Sequence, residues 1–166
     1  NSTIESNGDY SLAMGYEAKI SQHGKNAHAS GKFAAAGDAQ GGQFVLRADT
    51  TDATATVLTT NNSTAAATNQ IVVASDTCIA FSGTLVAMQN GAQSFAGFSI
   101  EGLLVNDGGT TTLPSSVVNT FQNSSSWTVA LSADDTNEAL AITVTGEASH
   151  NIRWVANIST SEVTYA

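Results

Sequence analysis

Three histidines, fourteen acidic side chains and one cysteine are the groups in this 166-residue chain best suited to chemistry on a ligand. His23 and His28 lie close together between glycines, but a metal site within one chain needs further Cys, His or carboxylate ligands at matching spacing, and none follows. A loop or solvent-facing role is favoured for both, although a symmetry axis could gather three copies of one histidine. His150, in Glu147-Ala-Ser-His150-Asn151, reads as a hairpin turn. The acidic run Asp134-Asp135-Thr-Asn137-Glu138 supplies the residue type that glycoside hydrolysis uses, one carboxyl as acid and one as nucleophile or base. It lacks the spacing of a calcium loop, and a solvated turn is the favoured reading. Cys78 sits in the apolar run Thr77-Cys-Ile-Ala-Phe81, which suggests a buried, inert thiol, and a single cysteine permits no intrachain disulfide. No HExxH, paired CxxC, GxSxG or phosphate-loop pattern occurs, so no nucleophile is placed beside a base. These residues point to a non-enzymatic chain needing no metal and no cofactor.

Recognition is a better use of such side chains. Connections carry most binding residues. The polar stretches 107–112 and 134–138 therefore nominate Asp107, Thr110, Asp134, Asp135 and Asn137 as candidate receptor contacts. Trp127 and Trp154 alternate with aliphatic residues and read as packing side chains rather than as platforms for sugars. The net charge of −9 is uneven. Residues 1–42 hold four acids against Lys19, Lys25 and Lys32, whereas residues 43–166 hold ten acids against Arg47 and Arg153. Neither nucleic acid nor an anionic membrane suits so acidic a surface. No apolar run of membrane-spanning length and no leader pattern is present. The start at Asn1, in mid-pattern, reads as that of a fragment or processed product of something longer.

The elements that must position these residues fall into two styles. Gly8, Gly15, Gly24, Gly31 and Gly37 recur with small residues at fixed offsets, as in Ala27-His28-Ala29. A short period returning small residues to one side predicts a coil of β structure with glycine at its corners and His28 outward. Such a coil has too little interior to stand alone and calls for neighbours, most simply identical chains about an axis. From Gly42 onward the pattern becomes strand alternation. Strands are expected over residues 43–47, 53–58, 70–74, 77–81 and 84–88. The last runs into Asn90-Gly91, the strongest hairpin signal, with a returning strand over 93–105 and a turn at Asp107-Gly108-Gly109. Further strands are expected over 127–131, 139–145 and 151–158. No window carries helical periodicity. The fold class is therefore all-β: a glycine-cornered β-roll or intertwined stem over residues 1–42, then an antiparallel, jelly-roll-like β-sandwich over residues 43–166.

Two resemblances sharpen this. Ser11-Leu-Ala-Met-Gly15-Tyr-Glu-Ala18-Lys-Ile20 resembles the head repeat of trimeric autotransporter adhesins, in which three chains build a left-handed β-roll. Its spacing is interrupted at Ser21-Gln22-His23 and shortened at Gly37. The stretch Ala34-Ala-Ala-Gly37-Asp-Ala-Gln40-Gly-Gly-Gln-Phe44-Val-Leu-Arg47, then Thr50-Thr51-Asp52-Ala53-Thr54, and the ending Ile152-Arg153-Trp154-Val155-Ala156 resemble tail-fibre and other structural proteins of tailed bacteriophages. This implies a homotrimeric, extracellular virion appendage that joins other tail proteins and attaches to a host-surface glycan or protein. The competing readings are a purely structural fibre-shaft component, a bacterial trimeric adhesin head and a glycan-cutting tailspike.

Overall fold

Small side chains and glycines shape the first part of the chain. In the computed structural model, which describes residues 1–91, 94–123 and 126–165, four short strands come first: β1 (Thr3–Ile4), β2 (Leu12–Gly15), β3 (Lys19–Ile20) and β4 (Lys25–Ala29). β1 pairs with β3 and β2 with β4, both in parallel, so each strand lies beside the next but one. Ala18, Ile20, Ala27 and Ala29 bury themselves between these ladders, with Ala13 packed against them. Gly15 makes one corner possible. Its φ is +86°, and a Cβ there would sit 2.1 Å from the Ala29 carbonyl oxygen. Among the five spaced glycines, Gly15, Gly24 and Gly37 take positive φ, while Gly8 and Gly31 do not.

The interruption at Ser21-Gln22-His23 has a structural purpose. Gln22 Nε2 donates to the Val72 carbonyl at 3.0 Å, His23 N to the Thr68 carbonyl at 3.0 Å, and His23 Nδ1 lies 3.0 Å from Thr60 Oγ1. Residues that break the repeat thus fasten the coil to the rest of the molecule. His28 points to solvent, as the alternation requires.

Nine more strands follow: β5 (Ala39–Thr50), β6 (Thr56–Val57), β7 (Ile71–Val72), β8 (Thr77–Gln89), β9 (Phe95–Asp107), β10 (Thr110–Asn123), β11 (Thr128–Asp134), β12 (Ala139–Thr145) and β13 (Ile152–Thr164). Among the described residues there is no helix. Seven strands form one sheet in the order β10-β9-β8-β13-β5-β4-β2, and β11-β12-β6 form a smaller one, with β7 also on β12. The two sheets share one core. Phe44, Leu46, Phe81, Leu85, Phe98, Ile100, Trp154 and Ile158 from the large sheet meet Trp127, Leu140, Ile142 and Val144 from the side of the small one. Strict alternation on β13 and β5 puts one set of side chains inward and the other outward. Trp127 and Trp154 stack at a tilt with centroids 5.6 Å apart, and Trp154 Nε1 donates to Thr50 Oγ1 at 2.9 Å, so both tryptophans are packing residues.

The all-β, sandwich-like architecture is as the sequence implies, with three corrections. The strands are not laid out as a jelly roll, because the Greek-key order β13-β8-β9-β10 lies wholly within one seven-stranded sheet, whereas a jelly roll divides eight strands and two Greek keys between two sheets. Cys78 is half-buried on the outward side of β8, not buried in the core. Thr110 and Thr112 belong to a strand rather than a loop. Residue 42 lies within β5, which pairs with β4 on one side and β13 on the other. Gln93, expected to open the returning strand, lies outside the described residues.

Candidate functional site

The residues nominated for recognition are brought to one end of the sandwich. The β9–β10 turn carries Asp107 and leads to Thr110, and the β11–β12 turn runs from Asp134 to Glu138. Thr111 N donates to Asp135 Oδ1 at 2.5 Å, and Thr111 Oγ1 donates to Glu138 Oε2. Asn106 Nδ2 reaches the same Glu138 oxygen at 2.6 Å and lies 3.2 Å from the Val73 carbonyl. The connection between β7 and β8 joins them, through Gly108 N to Asp76 Oδ1 at 3.2 Å and Val73 N to the Glu138 carbonyl at 2.7 Å.

Within the second turn, Asp134 accepts from both the backbone and the side chain of Asn137, at 3.1 and 2.7 Å. Burial pushes the Asp134 carboxyl up, and the hydrogen bonds from Asn137, Gln70 and Thr136 together outweigh it, holding the group below its ordinary value. Asp134 and Asn137 therefore shape the turn. Asp107, Thr110 and Asp135 remain on the exposed side. Among the described residues no group of three or more His, Cys, Asp or Glu is arranged to hold a metal ion.

Beside this end lies a cleft of about 750 Å³ between the N-terminal coil and the large sheet. Its floor is an ion pair that the sequence did not disclose. Lys25 Nζ lies 2.6 Å from Glu162 Oε2, with side chains only 4% and 7% exposed. Glu162 also accepts from Gln40 Nε2 at 2.9 Å and from Thr160 Oγ1 at 2.6 Å, and the Lys25 ammonium sits 5.5 Å from the centroid of the Phe44 ring. The alternation that sends Ala27 and Ala29 inward on β4 sends Lys25 inward too. That parity is the signal that could have found it; Glu162, 137 residues away, had none.

One wall of the cleft is the loop from Phe33 to Asp38. Asp38 Oδ1 accepts from Phe33 N, and Oδ2 from Ala34 N and Ala35 N, at 2.6 to 2.9 Å. Burial raises the Asp38 carboxyl, but these backbone donors prevail and hold it below its ordinary value. Phe33 and Tyr165 line the cleft while standing largely in solvent, at 81% and 92% exposure. Tyr165 N donates to the Asp76 carbonyl at 2.9 Å, which ties the cleft to the loop end.

No family model matches this sequence, and no curated protein matches it. Among solved structures, the tailspike protein of Acinetobacter baumannii phage AM24 superposes with a TM-score of 0.34 and 9% identity, over 89% of this chain and 30% of that one. The chain spans less than a third of that tailspike's length, and a superposition this loose assigns no shared fold.

Proposed function

We propose that this chain is a non-catalytic receptor-binding module of a phage tail fibre, working as a homotrimer on the virion and attaching it to a host-surface glycan or protein. In this reading the two parallel ladders of the coil are turns of a β-roll that forms the stem, and the sandwich is the tip. The observation that carries it is the convergence of three connections at one end of the sandwich. They are hydrogen-bonded to one another, so Asp107, Thr110 and Asp135 are offered from a stiff support, which lowers the ordering cost of binding. The cleft alongside adds exposed rings to polar groups, a pairing suited to sugars.

The chemistry of the carboxylates supports a binding role over hydrolysis. Glu162 and Asp38, the acids of the cleft, each accept three hydrogen bonds from neighbouring groups, which engages both carboxylates in holding the structure. Three copies on one fibre would convert weak single contacts into durable attachment.

The test is retention of the tagged chain on a panel of bacterial cells, with Asp107→Arg and Thr110→Arg as variants that disturb only the exposed rim. Binding by the wild type, lowered at least tenfold in the variants, is the expected result. No retention on any strain, with intact virion assembly, would favour the purely structural role instead, and a fall in polysaccharide viscosity would indicate a depolymerase.

A further inference from the structure

The seven-stranded sheet has two faces, and the small sheet covers only one. On the other, register places outward side chains in rows across the strands. Val45, Asn157, Thr84 and Ser99 form one row, and Arg47, Val155, Val86 and Gly97 the next. Met88 stands across from Arg153, and the Phe121 ring lies over Gly97, 3.6 Å from where a Cβ would be. Val45, Val86, Met88, Val155 and Phe121 are 43% to 64% exposed. Leu12 and Met14 on β2 extend this face to the far edge, in register with Asn26 and His28 on β4 and with Gln43 and Gly41 on β5.

We propose that this outward face is the surface through which copies of this chain pack against one another. Three observations select a second copy as the occupant. The first is charge. The chain carries −9, yet this face holds Arg47 and Arg153 against only Asp49, Glu101 and, at the end of β9, Asp107, with Arg153 and Asp49 paired at 3.2 Å. Identical acidic molecules repel, and this is where they can meet without doing so.

The second is composition. Both arginines of the protein stand here with Met, Phe and Val, among Ser, Thr and Asn, and no lysine is present. Enrichment in Met, aromatic residues and Arg with depletion of Lys and acids is the mark of a contact core. The third is size. The five strands β5, β13, β8, β9 and β10 are each 12 to 14 residues long. At about 3.3 Å per residue and 4.8 Å per strand they present about 1,000 Å², against about 800 Å² per partner in a stable complex.

The proposal rests on the self-association within the reading above and adds where it occurs. The experiment is light scattering behind size exclusion on the full chain and on two variants, Val86→Glu and Phe121→Ser, with circular dichroism to show that the strands persist. Both sites are exposed, so folding is expected to be unaffected. The expected result is a multimeric wild type and a dissociation constant raised at least 100-fold in Val86→Glu. A wild-type multimer unchanged by both substitutions overturns this face as the contact and leaves self-association standing. A wild-type monomer overturns both, whereas the receptor reading is judged separately by cell retention. A monomer whose cell binding is lost in Val86→Glu would assign the face to the host receptor.

Discussion

Lys25 shows how a single residue joins parts of the chain that the sequence keeps far apart. Its ammonium is shut away with Glu162 between the coil and β13, and removing one member of such a pair leaves the other charge buried. Lys25→Met is expected to cost about 3 to 5 kcal/mol in urea denaturation. The double variant Lys25→Met/Glu162→Leu should recover most of that loss, because no charge then remains to be desolvated. A single-variant cost below about 1 kcal/mol would show the pair to be solvated. The positions of Asp107 and Asp135 in connections were easier to foresee than this pair, because they stand in polar stretches and polarity between apolar runs marks a connection whatever the fold, whereas Thr110 proved to open β10. Hydrogen bonding among those connections was not legible, because it depends on which strands become neighbours.

The 33–38 loop is held by one carboxylate, so its order should follow pH. The folded Asp38 pKa lies below its ordinary value, so its stabilising contribution is present above the unfolded pKa, about 3.9, and is lost as pH falls through the folded one. Amide exchange at Phe33, Ala34 and Ala35, corrected for intrinsic rates, should therefore be protected at pH 6 and accelerate as pH falls below about 4. Asp38→Asn should show weakened protection already at pH 6. Equal protection in both proteins would mean that packing alone holds the loop. Legibility among the strands tracked burial. Residues 139–145 read correctly because Ala139 to Ile142 and Val144 are apolar and buried, broken only by Thr143 and Thr145. β10 escaped notice because it is an edge strand exposed along most of its length, so alternation never develops. Pro114 adds to the disguise, sitting where the register with β9 shifts between Thr112 and Ser115, a position where an edge strand tolerates proline. β8 read as two strands because Ser82-Gly83 looks like a break. Gly83 instead allows the Asn157 carbonyl to lie 2.2 Å from where a Cβ would stand.

At the scale of the molecule, the two clusters of buried side chains found among the described residues are joined through a continuous sheet, and β13 occupies its middle. Thirteen residues of β13 pair with β8 on one side and twelve with β5 on the other. A chain ended at Asn151 would leave both neighbours with open edges of unpaired backbone, each a template for intermolecular pairing. Such a chain is expected to collect in the insoluble fraction on expression while the full chain stays soluble. A soluble, monomeric truncated chain would contradict this account. The order of strands did not follow from their pattern, since alternation tells which face a residue takes but not which strand lies alongside. The central place of β13 also sets a schedule for synthesis. Ribosomes release β5 and β8 long before the strand that separates them, so the large sheet cannot close while the chain is still emerging. During that interval β5 and β8 must be kept apart or shielded, and a cell making this protein quickly would need holding chaperones in proportion to its translation rate.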